Sequence, residues 1–209
     1  MKHLFNPDST LWVFASRLAD LVWLSLLWCV CCIPVVTIVP VTAALYYVTL
    51  KIVNNDEGKI TGSFFKAFRE NLRQGIPLTF IFLALFALLY LDCLYVFSMQ
   101  GAFSTTLFLL FLVLVFLAIA TMCYTCALQA KFANTVFNTV KTAFFLSLQN
   151  LPKTVLIVLL HLSPVILIFI QLDTLFRLLP ILIAYIPSCI AYLSSMIYSK
   201  IFSQLLADK

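Results

Sequence analysis

The chain has 209 residues, of which 64% are hydrophobic and 10% charged, with a formal net charge of +5. Soluble domains are nearer half apolar and a quarter charged, and no water-soluble fold hides this much Leu, Ile, Val and Phe behind so few charges. Such a chain must be dissolved in lipid, and its long apolar runs make it helical rather than a barrel.

In chain order, six apolar segments stand out at about 11–33, 36–53, 76–98, 103–130, 153–172 and 178–203. A crossing needs ~20 residues, so 36–53 is marginal and reads as a short span or a re-entrant half-helix. The prolines Pro34 and Pro40 bracket a turn between the first two segments. The first segment is expected to remain on the chain. It is too long for a signal h-region, it contains Arg17 and Asp20, and no Ala-x-Ala site follows it. With the N-terminus inside, eleven of the thirteen basic residues fall on the cytoplasmic side, Arg17 lies in the first helix and Arg177 lies outside. Outer connections are short and inner ones, about 54–75 and 131–152, are long. The expectation is therefore one all-α membrane domain over 1–209: a polytopic helical membrane protein of about six transmembrane segments. These form three hairpins with both termini cytoplasmic and amphipathic cytoplasmic linker helices between them.

Each returning helix ends near a lysine, Lys51, Lys131 or Lys200, with Tyr47, Tyr124 or Tyr198 before it. These helices also carry small and hydroxyl residues such as Thr49, Thr121, Thr125, Ser188, Ser194 and Ser195, which let membrane helices approach closely and bond across the contact. The linkers align too: Pro77 on Pro152, Gln74 on Gln149, Lys66 on Lys141. This alignment reads as a degenerate parallel repeat with the even helices inside, or as the common habit of bundles to anchor with a base and pack through small residues. In GSFFKAFRENLRQG, Phe64, Phe65, Phe68 and Leu72 share one face. Lys66, Arg69 and Arg73 lie on the others. This is the pattern of an interfacial helix, serving as a lipid anchor or as a docking surface for a cytoplasmic partner. The second linker is less charged and is expected to do the same work more weakly.

The stretches NPDSTLWVFASRLADLVWLSLLW, CIPVVTIVPVTAALYYVTLK and EGKITGSFFKAFRENLRQG resemble the opening of the YesL-like family of small bacterial integral membrane proteins. The resemblance covers residues 6–75 and rests on Arg17, Asp20, Pro34, Pro40, the pair Tyr46 and Tyr47, and the Phe65-Lys66-Ala67-Phe68 linker. The rest of the chain agrees in length and helix layout only. The family has no assigned biochemical activity. The resemblance implies a multi-pass plasma-membrane protein whose genes lie beside carbohydrate ABC importers, and hence importer subunits as partners.

Candidate chemistry is sparse. Arg17 and Asp20, three apart, share a helix face and pair or anchor at the head groups, or else sit on a substrate path. His161 reads as a hydrogen-bonded core histidine or a proton relay. Cys29 with Cys32, and Cys123 with Cys126, offer two ligands each, but the six-span drawing sets them at opposite depths, so no zinc site is expected. Asp92 and Asp173, near the outer ends of their helices, read as a sugar or cation site or, more simply, as solvated helix ends. None of the four glycines opens a phosphate-binding loop and no HExxH or Gly-x-Ser-x-Gly motif occurs. The twenty phenylalanines do not interleave with bases as a nucleic-acid surface would. The expectation is thus a non-enzyme without cofactor or metal, in contact with the lipid bilayer and not with nucleic acid. Its role is an accessory or regulatory component of carbohydrate ABC import or, alternatively, a small stand-alone transporter or channel.

Overall fold

The computed structural model describes residues 10–56, 58–98, 102–170 and 172–207, with side chains described for 16–56, 58–98, 104–166 and 186–206. Helices α1 (Thr10–Cys31) and α2 (Ile38–Val53) are joined by a 3₁₀ turn at Val35–Thr37. They are followed by α3 (Ile60–Ser98), α4 (Ala102–Lys131), α5 (Val136–Gln149), α6 (Leu151–Ile170) and α7 (Leu172–Ala207). No strand occurs among the described residues. This is an all-helical membrane protein. Among the described residues, three runs are long and apolar enough to cross a bilayer: Val35–Val53, Ile60–Ser98 and Ser104–Lys131. Counting the bent pair α5–α6 as one span makes four.

The six apolar segments map onto α1, α2, the distal part of α3, α4, α6 and α7, and the second linker becomes α5. The first linker departs from expectation. It is not separate: it runs without a break through Pro77 into the third apolar segment, making α3 39 residues long. At ~1.5 Å per residue α3 is ~58 Å long, about twice the ~30 Å hydrocarbon layer.

The first half of α3 packs along α2. Phe64 and Ala67 are buried there, and Gly75 meets Pro40 so closely that a Cβ would come within 2.7 Å of the proline ring. Pro40 sits in the first turn of α2, where a missing N–H is harmless, and glycine opposite it lets the two backbones touch. Beyond this point Val39 N–H donates to Thr79 Oγ1 at 3.4 Å. Pro40 thus stands beside the base of the apolar run of α3, and α2 is placed next to the charged half of that helix rather than beside the run itself.

α2 is the most enclosed element, with ten buried residues from Val39 to Leu50. It touches α1, α3, α4 and α7. Its N-terminus is set by the turn, where Thr37 Oγ1 donates toward Cys31 O at 2.7 Å and Pro34 O at 2.6 Å. Trp28 Nε1 ties α1 back to Thr42 Oγ1 at 3.2 Å. Its C-terminus is closed by Asn55, which adopts a left-handed φ of 55°, a conformation Asn tolerates. Asp56 N–H then reaches Lys51 O at 3.0 Å.

α5 and α6 meet at 107°. The aligned prolines therefore behave differently: Pro77 lies inside a continuous helix, whereas Pro152 follows a corner. Thr154 clasps that corner through Ser147 O at 2.8 Å and Asn150 O at 3.0 Å. The parallel repeat meets a further obstacle. Contacts step backward along α7 as they step forward along α2, from Tyr46–Tyr198 to Thr49–Ser195. Returning helices laid side by side in one sense would advance together.

Candidate functional site

Three features converge around α2: an aromatic and hydroxyl core, a charged cavity on one side, and a polar cleft on the other. In the core, one tyrosine from each of α2, α4 and α7 meets at Tyr198. Tyr46 and Tyr124 stand edge-on to it at 5.5 and 5.1 Å between centroids, and Phe202 stacks on it at 5.8 Å. All four are fully buried. The α2 member is Tyr46 and not Tyr47, because successive helical residues point about 100° apart and only one of the pair can face the core.

The hydroxyl partners follow from who can donate. Ile157 O only accepts, so the His161 Nδ1 contact at 2.8 Å puts the ring hydrogen on Nδ1. In the neutral ring Nε2 then accepts from Tyr46 O–H at 2.8 Å. Both ring nitrogens are thereby used, and His161 ties α6 to α2. Thr154 donates into its own corner, so Tyr124 O–H donates to Thr154 Oγ1 at 3.0 Å. Thr49 donates to Leu45 O at 3.1 Å and accepts from Ser195 at 2.7 Å. Ser25 and Ser188 join α1 to α7 at 2.8 Å. Thr121 is satisfied by Leu117 O in its own helix at 2.7 Å. It faces no path. Among the described residues, the buried Tyr198 hydroxyl, Ser194 Oγ and Gln129 Oε1 make no hydrogen bond, although the first two lie close to the Tyr46 hydroxyl.

The charged cavity holds about 620 Å³ between α1, the end of α2, the α2–α3 turn and α7. Leu18, Leu21, Val48, Ile52, Ile60 and Leu193 form its apolar wall. Arg17, Asp20, Lys51 and Asp56 stand around it. Lys51 Nζ lies 3.5 Å from Asp56 Oδ2 and 5.3 Å from the Tyr47 ring centroid. Arg17 Nη2 reaches Asn55 Oδ1 at 3.5 Å. The structure thus brings Arg17, Asp20 and Lys51 to one place, which the sequence reading had left in two.

The polar cleft is smaller, about 340 Å³, and lies between α2, α3 and α4. Tyr47, Glu70, Asn71, Arg73, Gln129 and Lys131 line it. Gln129 Nε2 donates to Asn71 O at 3.1 Å.

The remaining sequence candidates distribute as follows. Phe65, Lys66, Arg69 and Arg73 are exposed in one stripe of α3 with Glu70, while Phe68 packs against the core. The lipid face expected for Phe64 and Phe68 is therefore corrected: those rings are spent inside the protein, stacked on each other at 6.5 Å. Pro34 is exposed at the turn, and Asp92 is exposed on α3. Asp173 falls outside the described side chains. Cys32 packs against the core cluster that contains Cys126. Even so, no three His, Cys, Asp or Glu side chains among the described residues are grouped as a metal would need. Sequence reasoning missed Asp56, Gln129 and Thr154. Asp56 sits in the α2–α3 turn and Thr154 in the first turn of α6, where a polar residue raises no question, and Gln129 lies two residues before the end of α4.

A family model described as a protein of unknown function, DUF624, matches residues 21–93, from the second half of α1 through most of α3. Neither the curated proteins nor the solved structures gave a match.

Proposed function

We propose that this is a multi-pass plasma-membrane protein that acts without catalysis as an accessory or regulatory component of carbohydrate ABC import. This reading stops at a multi-pass chain: six spans with both termini cytoplasmic would run α2 and α7 in one sense, and their contacts step in opposite senses. α2 alone, 16 residues long, spans ~24 Å and falls short of a full hydrocarbon crossing.

The observation that carries the reading is the stripe Phe65, Lys66, Arg69, Glu70 and Arg73. Had the first half of α3 lain on the bilayer, its aromatic face would be in lipid. Instead Phe64 is fully buried against α2, which holds the helix rigidly and leaves the stripe outward with three cations to one carboxylate. A preorganised aromatic-and-basic strip fits a partner's acidic surface. The importer as partner comes from the family resemblance.

Affinity purification from native membrane with identification of partners tests this. Permease or ATPase subunits should co-purify, and K66E/R69E/R73E should release them while the fold persists. Solubilised complexes that never contain importer subunits would refute the role. The cavity beside Arg17 favours the second reading, a small carrier. That one requires substrate flux in proteoliposomes of the protein alone, and absence of flux across a sugar panel removes it.

A further inference from the structure

The α1–α2 hairpin carries no charged residue between Asp20 and Lys51, and its tip shows apolar side chains outward. Val30, Ile33 and Val35 are 65%, 77% and 54% exposed, with Pro34 and Val36 exposed beside them. We infer that this hairpin enters the bilayer by its tip alone, and that the tip is a lipid-binding wedge. Its seat is among the acyl chains of the leaflet nearest the charged half of α3. The inference rests on the apolar run of α3 crossing the membrane and not on the importer role.

α3 sets the level. Contacts step backward along α3 as they step forward along α2. Val39 N–H donates to Thr79 Oγ1, Pro40 meets Gly75, and Tyr47 shares the polar cleft with Ala67 and Asn71. The turn that precedes Val39 therefore points along the apolar run and packs on α3, while Lys51 points away from the run. Thr79 lies three residues past residue 76, where the run begins, or ~4.5 Å along the axis. The hydrocarbon of one leaflet is ~15 Å deep, half of the ~30 Å core. The tip thus belongs to the shallow part of one leaflet, at the level where α3 exposes Phe80, Ile81 and Leu83. Trp28 Nε1 donates to Thr42 Oγ1, which puts an amphipathic ring at the boundary between the charged half and the run. Such rings mark the head-group layer of a membrane.

A full crossing is opposed by the same contacts. α2 is locked to the first half of α3 through Phe64, Ala67 and Gly75. Sinking α2 through the bilayer would draw the exposed Lys66, Arg69 and Arg73 into hydrocarbon with it, where a cation is costly. Entry by the tip moves no charge. The turn also closes much of its own backbone, as hydrocarbon requires. The N–H groups of Cys32, Ile33 and Thr37 donate to Trp28 O, Val30 O and Pro34 O, Thr37 Oγ1 covers Cys31 O, and Pro34 has no N–H to leave open.

The test places a single tryptophan at Val35, or at the exposed Asn54 just past the far end of α2. The protein is full-length, with Trp12, Trp23 and Trp28 replaced by Phe. It is reconstituted in phosphatidylcholine vesicles whose acyl chains are brominated near the glycerol or near the methyl ends. Val35→Trp fluorescence should be lost to the shallow bromines, several-fold more than to the deep ones, and should resist aqueous acrylamide. Asn54→Trp should show the reverse, quenched by acrylamide and by neither set of bromines. Three results would each overturn entry by the tip: acrylamide quenching of Val35→Trp, stronger quenching there by the deep bromines, or bromine quenching of Asn54→Trp. A second measurement keeps the native tryptophans, with benzoylphenylalanine at position 35 irradiated in unbrominated vesicles. Its adducts should carry the mass of one lipid. Adducts that join two copies of the chain, or that carry no lipid, would overturn lipid as the occupant.

Discussion

The two linker helices carry similar patterns and end up in opposite situations. The first half of α3 and the whole of α5 both read as amphipathic, both end near a proline, and both join apolar segments. In the first, Phe64 is fully buried, and Phe68 packs on the core beside it. In α5 the buried face is small, Thr139, Ala143, Leu146 and Ser147, while Phe137 and Phe145 are 78% and 52% exposed. The expected order is thus reversed: the charged linker is docked within the protein, and the less charged one presents its rings outward. Amphipathicity states that a face will be covered and leaves open what covers it.

The largest effect expected from this difference is in the rings. Phe64→Ala should destabilise the protein by ~3–5 kcal/mol, as for a large core truncation. Phe137→Ala should stay within ~0.5 kcal/mol. Chemical unfolding in detergent measures both, and equal losses would mean that the two linkers are held alike. Next comes the backbone contact. Gly75→Ala forces a Cβ against Pro40, and overpacking of this kind costs ~1–3 kcal/mol. Gly62 faces open space, with Lys59 Cβ at 3.9 Å the nearest atom, so Gly62→Ala should gain up to ~1 kcal/mol from helix propensity. If both alanines behave alike, α2 and α3 do not touch as described.

A smaller contrast lies within the core that the first linker leans on. Tyr46→Phe strands His161 Nε2 and should cost ~1–3 kcal/mol, the penalty for a buried group left without its partner. Tyr198→Phe removes a hydroxyl that makes no hydrogen bond among the described residues, so it should be neutral or slightly stabilising. The same unfolding assay ranks them, and a reversed order would refute the hydrogen-bond assignment around His161.

Much of this was legible. Composition fixed the class, and the six apolar segments fall on six helices. The turn at Val35–Thr37 lies between the two prolines that marked it, and the hydroxyls of the returning helices do bond across contacts, as Thr49–Ser195 shows. The tertiary placement was not legible. A proline in a helical pattern continues at Pro77 and follows a corner at Pro152, because the outcome depends on what Gly75, Thr79 and Thr154 touch across the bundle. Tyr46 and Tyr47 are indistinguishable as letters, and only the packing of α7 selects the first. The cavity joins Arg17 and Asp20 to Lys51 and Asp56 over more than thirty residues of sequence, a relation that no local spacing encodes.

The claim on which the proposed partner surface stands is that the first linker is docked on α2 while α5 faces lipid. It is tested by single tryptophans at Phe64 and Phe137, with Trp12, Trp23 and Trp28 replaced by Phe, in bilayers whose acyl chains are brominated. Phe137→Trp fluorescence should be strongly quenched and Phe64→Trp fluorescence protected. Equal quenching at the two positions would show that the charged linker lies on the membrane after all, and its basic stripe would then be a lipid anchor.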